Sequence, residues 1–286
     1  MKLTALVAAC IIQYASAHYF FDKLIVDGVE SQSYQYVREN TRELKYNPTK
    51  WKNTRDDMTP DMEDFRCNKG AFQSASKTST AEVKAGAKLG MKLAVGATFQ
   101  HPGPAIVYMS KAPSSASTYE GDGDWFKVFE EGICNQSGDM GKDAWCSWDK
   151  NKIEFTVPAG TPDGEYLVRS EHIGVHGAHD GQAEFYYSCA QIKVTGGTGT
   201  ALPTDTIKFP GGYKKDDPSF NYSIYSGYKP YTMPGPAVWG GSSTGTSGGS
   251  SSSDNSSSTS GAEVPSSEDS NYVRGRRAFR ESIRKE

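Results

Sequence analysis

A strict two-residue alternation of apolar and charged side chains runs through residues 81–95. The odd positions are small or apolar: Ala81, Val83, Ala85, Ala87, Leu89, Met91, Leu93 and Val95. Lysine or glutamate occupies four of the intervening positions. Successive side chains of a β-strand point to opposite faces, so this period predicts a half-buried strand or hairpin in an antiparallel sheet.

Further short segments read as strands that are separated by turns rich in Gly, Pro and Asp. They comprise residues 22–26, 104–109, 152–157, 165–173 and 184–194. No long stretch repeats its apolar residues with the period of a helix. Residues 37–66 are charged, aromatic and irregular, which predicts a long surface loop. Many short strands over roughly two hundred residues predict an all-β fold, an antiparallel β-sandwich.

The first seventeen residues have the pattern of a secretory signal peptide. Lys2 supplies the positive start, Leu3 to Ile12 an apolar run, and Ala15 to Ala17 a small-residue cleavage site. The apolar run is too short to span a membrane. We therefore expect a secreted, extracellular protein whose mature chain begins at residue 18.

The first residue of that mature chain is His18. An N-terminal histidine presents its α-amine and a ring nitrogen together, and these two atoms can chelate one metal ion. Nitrogen donors of this kind suit copper best among the available divalent metals. The alternative is that a histidine stands at this position with no role in metal binding.

The cysteines indicate a disulfide-bonded protein. Cys10 is removed with the signal peptide, which leaves Cys67, Cys134, Cys146 and Cys189. An even number in a secreted chain predicts two disulfides, for which three pairings are possible. The segment from Cys134 to Cys146 is short and contains glycine, and a local pairing there leaves Cys67 to join Cys189.

Composition divides the mature chain into three parts. We expect one domain over residues 18–239, a flexible linker rich in Gly and Ser over 240–261, and a short, basic, disordered tail over 262–286. The net charge of −3 predicts neither a nucleic-acid nor a membrane partner. Sequons that could carry N-linked glycans begin at Asn135, Asn221 and Asn255.

Two regions supply further candidate site residues. His101 opens a turn rich in Pro and Gly that leads into a strand, so its side chain can project from the end of a sheet. His172 and His176 lie where a strand runs into a loop. Glu184 and Tyr186 are two apart and share one strand face, which would simply be the solvent-exposed face of an ordinary sandwich. The other face, with Phe185, Tyr187 and Cys189, is predicted to be core.

Several motifs in order carry a resemblance to a known family. They are His18 after the signal peptide, His101-Pro-Gly-Pro, residues 166–176 (YLVRSEHIGVH), Phe185-Tyr186 with Cys189, residues 209–213 (FPGGY) and Pro234-Gly-Pro. Over residues 18–239 the chain resembles the fungal lytic polysaccharide monooxygenases of auxiliary activity family nine, formerly glycoside hydrolase family sixty-one.

The resemblance implies an immunoglobulin-like or fibronectin-like β-sandwich whose long loops form a flat face, with one type-two copper per chain. His18, through its amine and ring, and His101 would bind the copper as three nitrogen donors. Tyr186 would occupy the axial position, and His176 would hydrogen-bond the oxygen species. The disulfide pattern of the family also supports pairing Cys67 with Cys189.

One position departs from the family pattern. The family usually has glutamine two residues before the axial tyrosine, whereas this chain has Glu184. A carboxylate accepts hydrogen bonds but cannot donate one unless it is protonated, and we expect it to raise the pKa of His176. We expect His179 to be an exposed loop residue and His172 to be structural.

Aromatic side chains are the candidate substrate contacts, because polysaccharide faces stack on rings and tyrosine suits a wet interface. Residues 220–231 are the best candidate platform, with Tyr222, Tyr225 and Tyr228. Tyr19, beside the copper site, is a weaker candidate. The alternative is that these tyrosines pack the long loops.

The predicted function is oxidative cleavage of β-1,4-glucan, either cellulose or a related hemicellulose, at C1 or C4. A small reductant or an electron-donating dehydrogenase would supply electrons, and the enzyme would act as a monomer. One alternative is a secreted copper-binding protein with the same ligands but no polysaccharide cleavage. Another is a metal-free carbohydrate-binding sandwich, which requires that His18 is not the mature N-terminus.

Overall fold

A computed structural model describes residues 18–240 of the chain. The predicted signal peptide, the linker from residue 241 onwards and the basic tail lie outside the described residues. The strands are β1 (Phe21–Val26), β2 (Val29–Glu30), β3 (Ala81–Lys84), β4 (Lys88–Leu93), β5 (Ala105–Lys111), β6 (Phe126–Glu131), β7 (Lys152–Thr156), β8 (Gly164–Gly174) and β9 (Glu184–Thr195).

Helical structure over residues 18–240 is limited to short 3₁₀ segments. They are Glu63–Phe65, Ala71–Lys77, Ala94–Gly96, Ala116–Thr118, Ala178–Asp180, Pro218–Phe220 and Ile224–Ser226. None of the helices in this part of the chain is long and apolar enough to cross a membrane.

The strands form two sheets, which confirms the predicted all-β sandwich. One sheet has the order β2-β1-β4-β7 and the other β3-β9-β8-β5-β6. An apolar core between the sheets contains Leu24, Met91, Val107 and Ile192. A second core covers the outer face of the five-stranded sheet, where the loops contribute rings such as Trp145. Strands β8 and β9 are therefore buried on both faces.

The alternating stretch 81–95 forms strands as predicted, but it is not a hairpin. Strand β3 pairs in parallel with β9, whereas β4 lies between β1 and β7 in the other sheet. The stretch crosses from one sheet to the other and keeps its apolar face towards the core between them. Val95 does not follow the pattern, since it lies in a 3₁₀ turn and is 94% exposed. Alternation identifies a buried face but not the partner strand.

Residues 37–66 are irregular as predicted, but they are not simply a surface loop. Val37 and Thr49 form antiparallel bridges with Ala190 and Phe185 of β9. Arg42 is buried, and its Nη2 donates a hydrogen bond to Thr49 Oγ1 at 2.6 Å. Paired polar groups allow this charged segment to pack against the sheet.

Both predicted disulfides are present. Cys67 bonds to Cys189 across a separation of 122 residues, and Cys134 bonds to Cys146 across 12. The first disulfide attaches the long loop to β9, and the second closes a local loop.

Candidate metal centre

The candidate site residues meet at one end of the sandwich. His18 precedes β1, His101 precedes β5, His176 follows β8, and Glu184 begins β9. Antiparallel pairing places the end of β8 beside the starts of β5 and β9, with Ala105 opposite His172 and Gly174 opposite Glu184. Residues far apart in sequence are thus brought together by strand register.

A glycine allows the turn that carries His101 to pack closely on β8. Gly103 has a φ of 153°, and a Cβ there would overlap the carbonyl oxygen of Ile173. The amide of Val175 donates to the carbonyl of Pro102 at 2.8 Å. This turn brings the rings of His101 and His176 into a stacked contact with centroids 4.4 Å apart.

Three potential ligand atoms converge at this end of the fold. Those of His18, His101 and Glu184 all lie within 4.8 Å of one another. The rings of His18 and His101 meet edge to face with centroids 5.4 Å apart. His101 Nε2 is buried, forms no hydrogen bond in the described structure, and lies 3.6 Å from Glu184 Oε2. A buried imidazole nitrogen without a partner fits a metal ion, and imidazole donors suit copper as well as zinc, iron and nickel.

Burial holds His101 and His176 in the uncharged form that binds metals. The pKa of His101 is lowered to about 4, chiefly by burial and secondly by the neighbouring His176. Burial also lowers the pKa of His176. Glu184 raises the pKa of His176, as expected, but burial has the larger effect, so the net direction is downward. Neutral imidazoles at pH 7 leave their ring nitrogens available as ligands.

Glu184 and Tyr186 do share a strand face, but that face is not exposed to solvent. Glu184 is 5% and Tyr186 2% exposed. The Tyr186 hydroxyl donates a hydrogen bond to Glu184 Oε2 at 2.6 Å, and burial raises the pKa of Tyr186 well above its ordinary value. The ring of Tyr186 stacks near that of His101, with centroids 5.7 Å apart. Tyr186 is therefore a protonated phenol beside the candidate ligands.

A lysine that sequence reasoning missed completes the surroundings of the carboxylate. Lys50 Nζ lies 3.1 Å from Glu184 Oε1, and the two side chains are 13% and 7% exposed. Burial raises the pKa of Glu184, but the hydrogen bond from Tyr186 and the neighbouring His101, His176 and Lys50 outweigh it, so the net direction is downward. Since His101 is uncharged at pH 7, the ion pair with Lys50 offsets the charge of Glu184.

His172 connects the segments that carry the two candidate copper-binding histidines. Ser147 Oγ donates to the carbonyl of Gly103 at 2.8 Å and lies 3.2 Å from His172 Nε2. The Tyr19 hydroxyl lies 2.7 Å from His172 Nδ1. Because Ser147 uses its proton on Gly103, His172 donates from Nε2 and accepts from Tyr19 at Nδ1. This fully buried chain joins the residue after His18 to the turn that follows His101.

The tyrosines predicted to bind substrate divide into two groups. Tyr19 is 2% exposed and packs on Tyr186, with ring centroids 4.4 Å apart, so its predicted surface role was wrong. Tyr222 is 9% exposed, and its hydroxyl donates to the carbonyl of Lys229, so it packs the loop instead. Tyr225 and Tyr228 are 69% and 36% exposed.

Two exposed rings, Tyr225 and Tyr46, flank the candidate metal site. The Tyr225 hydroxyl donates to the carbonyl of His176 at 3.2 Å, and the exposed His179 contacts the Tyr225 ring edge-on. On another side, the Tyr46 ring lies 6.2 Å from that of His18 and is 37% exposed. Sequence reasoning missed Tyr46 because nothing local connects it with residue 18.

Comparisons with known proteins identify what the chain is similar to. The model of Auxiliary Activity family 9, formerly GH61, matches residues 18–232. The chain is 71% identical over 248 residues to AA9 family lytic polysaccharide monooxygenase A of Aspergillus fumigatus, covering 86% of this chain and 85% of that protein. It is 70% identical over 243 residues to monooxygenase D of Aspergillus tamarii, covering 85% and 88%.

Solved structures agree with the sequence matches. A crystal structure of HiLPMO9B has a TM-score of 0.66 at 27% identity, covering 78% of this chain and 100% of that chain. A cellulose-active polysaccharide monooxygenase from M. thermophila has a TM-score of 0.63 at 27% identity, covering 78% and 99%.

Proposed function

Since the chain belongs to Auxiliary Activity family 9, we propose that it is a secreted, copper-dependent monooxygenase that cleaves β-1,4-glucan oxidatively at C1 or C4. One observation carries the copper site: the ring nitrogens of His18 and His101 converge, and His101 Nε2 is buried without a hydrogen-bond partner. The substrate class is supported by the relatives, which are lytic polysaccharide monooxygenases, and by the cellulose-active structural neighbour.

The copper would be held by the amine and ring of His18 and the ring of His101, with the phenol of Tyr186 beside it. When bound, the copper would supply redox chemistry toward dioxygen or hydrogen peroxide, with a small reductant or a partner dehydrogenase as the electron source. The amine becomes a ligand only after removal of residues 1–17. The start of the family match at residue 18 supports that mature N-terminus.

The remaining residues prepare the surroundings of that ion. Burial keeps His101 neutral and therefore available as a ligand at pH 7. His176, stacked on His101, offers a ring N–H that can donate a hydrogen bond to an oxygen species. Tyr186 keeps its proton and donates a hydrogen bond to Glu184. Exposed Tyr225 and Tyr228 would stack on the faces of sugar rings, and the enzyme would act as a monomer.

Product analysis by mass spectrometry tests this proposal. The copper-loaded protein, cut to begin at His18, is incubated with swollen cellulose and ascorbate. His101→Ala and a form that retains an N-terminal Met before His18 are the controls. Oxidised oligosaccharides that disappear in both controls support the proposal, and their masses together with their stability begin to assign C1 or C4 oxidation. Tight copper binding without oxidised products from cellulose or from xyloglucan would instead favour a copper-binding protein that does not cleave polysaccharide.

A further inference from the structure

The side chain of Lys50 lies opposite Glu184 because of a local strand pairing. The amide of Thr49 donates to the carbonyl of Phe185 at 3.0 Å, and the amide of Phe185 donates back to Thr49 at the same distance. In an antiparallel pair this register sets the next residue, Lys50, against Glu184. The position of the lysine is thus determined by backbone hydrogen bonds, not by a flexible surface contact.

Two more contacts hold the same segment along the site. Lys52 Nζ lies 2.8 Å from Asp180 Oδ1, and Asn53 Nδ2 donates to Gln182 Oε1 at 2.6 Å. These two pairs are exposed, whereas the ion pair between Lys50 and Glu184 is almost buried. Partial burial strengthens an ion pair relative to a solvated one, so Lys50 has the larger electrostatic influence on the site.

Both oxygens of the Glu184 carboxylate are engaged. Oε1 accepts from Lys50 Nζ at 3.1 Å, and Oε2 accepts from the Tyr186 hydroxyl at 2.6 Å. The carboxylate nevertheless lies close enough to the histidines to act as a metal ligand, since Oε2 is 3.6 Å from His101 Nε2. Two partners on opposite oxygens determine which way the carboxylate points.

We propose that Lys50 is a positioning residue of the copper site, which holds Glu184 in an ion pair and prevents it from becoming a copper ligand. This inference rests on the proposed function only in that copper binds beside His18 and His101. Lys50 acts through Glu184, and it also offsets a negative charge that would otherwise lie uncompensated beside the ion. A glutamate can therefore stand in this site without changing the three-nitrogen coordination.

Substitution of Lys50 tests the inference by two readouts that do not depend on catalysis. The readouts are the Cu²⁺ dissociation constant, from competition titration, and the Cu²⁺ electron paramagnetic resonance spectrum. In Lys50→Met, Glu184 Oε1 loses its partner and the charge of the carboxylate is no longer offset, so we expect Cu²⁺ to bind about tenfold more tightly and the spectrum to change. Lys50→Arg retains the ion pair and should keep the wild-type values.

A double variant and a neighbouring control make the result specific. Lys50→Met combined with Glu184→Gln should match Glu184→Gln alone in both readouts, because the charge on which Lys50 acts is gone. Lys52→Met removes the exposed pair with Asp180 in the same segment and should change neither readout.

Three outcomes would overturn the inference: unchanged copper affinity and spectrum in Lys50→Met, the same change in Lys50→Arg, or a change that persists in the double variant. Failure of Lys50→Met and Lys50→Arg alike to fold would also overturn it, since Lys50 would then support the fold and not the carboxylate. Failure of the wild-type protein to bind copper would instead refute the proposed function.

Discussion

The buried pair of Tyr19 and His172 leads to a prediction about protein stability. The substitution Tyr19→Phe should destabilise the wild type but stabilise a variant that lacks His172. Their hydrogen bond of 2.7 Å is buried, and each residue satisfies a polar atom of the other. In the wild type, Tyr19→Phe leaves His172 Nδ1 without a donor. It should lower the free energy of unfolding by about 1–3 kcal/mol, the cost of an unsatisfied buried polar group.

In a His172→Phe background the same substitution should have the opposite effect. The phenyl ring can keep the stacked contact with Phe99, whose ring centroid lies 4.6 Å from that of His172. The Tyr19 hydroxyl is then buried without a partner, so Tyr19→Phe removes an unsatisfied group and should be stabilising. The coupling between the two positions is the difference between these two effects, so it should be larger than the cost of Tyr19→Phe in the wild type. Any strain from the larger ring cancels, since it is common to both members of the comparison.

Urea denaturation of the four copper-free proteins measures this coupling directly. Tyr166→Phe serves as the control, because the Tyr166 hydroxyl is also buried but donates to the carbonyl of Pro162, away from His172. Its cost should be the same in both backgrounds. If Tyr19→Phe destabilises both backgrounds equally, the hydrogen-bond chain inferred for His172 is refuted.

Three further predictions concern pH, covalent structure and substrate. Burial holds the pKa of His172 well below 6.5, so only the unfolded chain binds this proton, and stability should fall as the pH drops below about 6.5. Between pH 6 and 5, the free energy of unfolding of copper-free His172→Phe should change with pH less steeply than that of the wild type, by about 1 kcal/mol per pH unit. Equal slopes for the two proteins would contradict this prediction. Replacing Cys67 and Cys189 by Ala should lower the free energy of unfolding by about 5 kcal/mol, and replacing Cys134 and Cys146 should lower it by about 3 kcal/mol, as measured by urea denaturation. The costs differ because the closed loops span 122 and 12 residues. A larger cost for the second disulfide would exclude the loop-entropy account. Tyr225→Ala should weaken binding to swollen cellulose about three- to tenfold in pull-down assays. Tyr225→Phe keeps the ring and should bind like the wild type. Equal binding by the two variants would exclude stacking on this ring.

The strand segments and the number of disulfides could be predicted from the sequence. The first depends only on the alternation of neighbouring residues, and the second only on the even number of cysteines. The period in residues 81–95 correctly indicated strands with one buried face, but it could not show that β3 and β4 enter different sheets. The sheet that each strand joins depends on which other strand lies beside it with unpaired backbone groups, and that strand is distant in sequence. Val95 is exposed because it lies in a 3₁₀ turn, which the alternating pattern did not predict.

At the candidate metal centre, residue types could be identified in sequence, but their neighbours could not. His18, His101 and Glu184 were recognisable from motifs, and the fold brings their potential ligand atoms within 4.8 Å. The burial of Tyr19, the ion pair of Lys50 with Glu184, and the position of Tyr46 beside His18 all arise from contacts between segments distant in the chain. The amino-acid sequence alone determined which side chains could serve as candidate site residues. Only tertiary packing decided which of them are buried, which are paired and which face solvent, because burial and charge pairing depend on all the segments that surround a group.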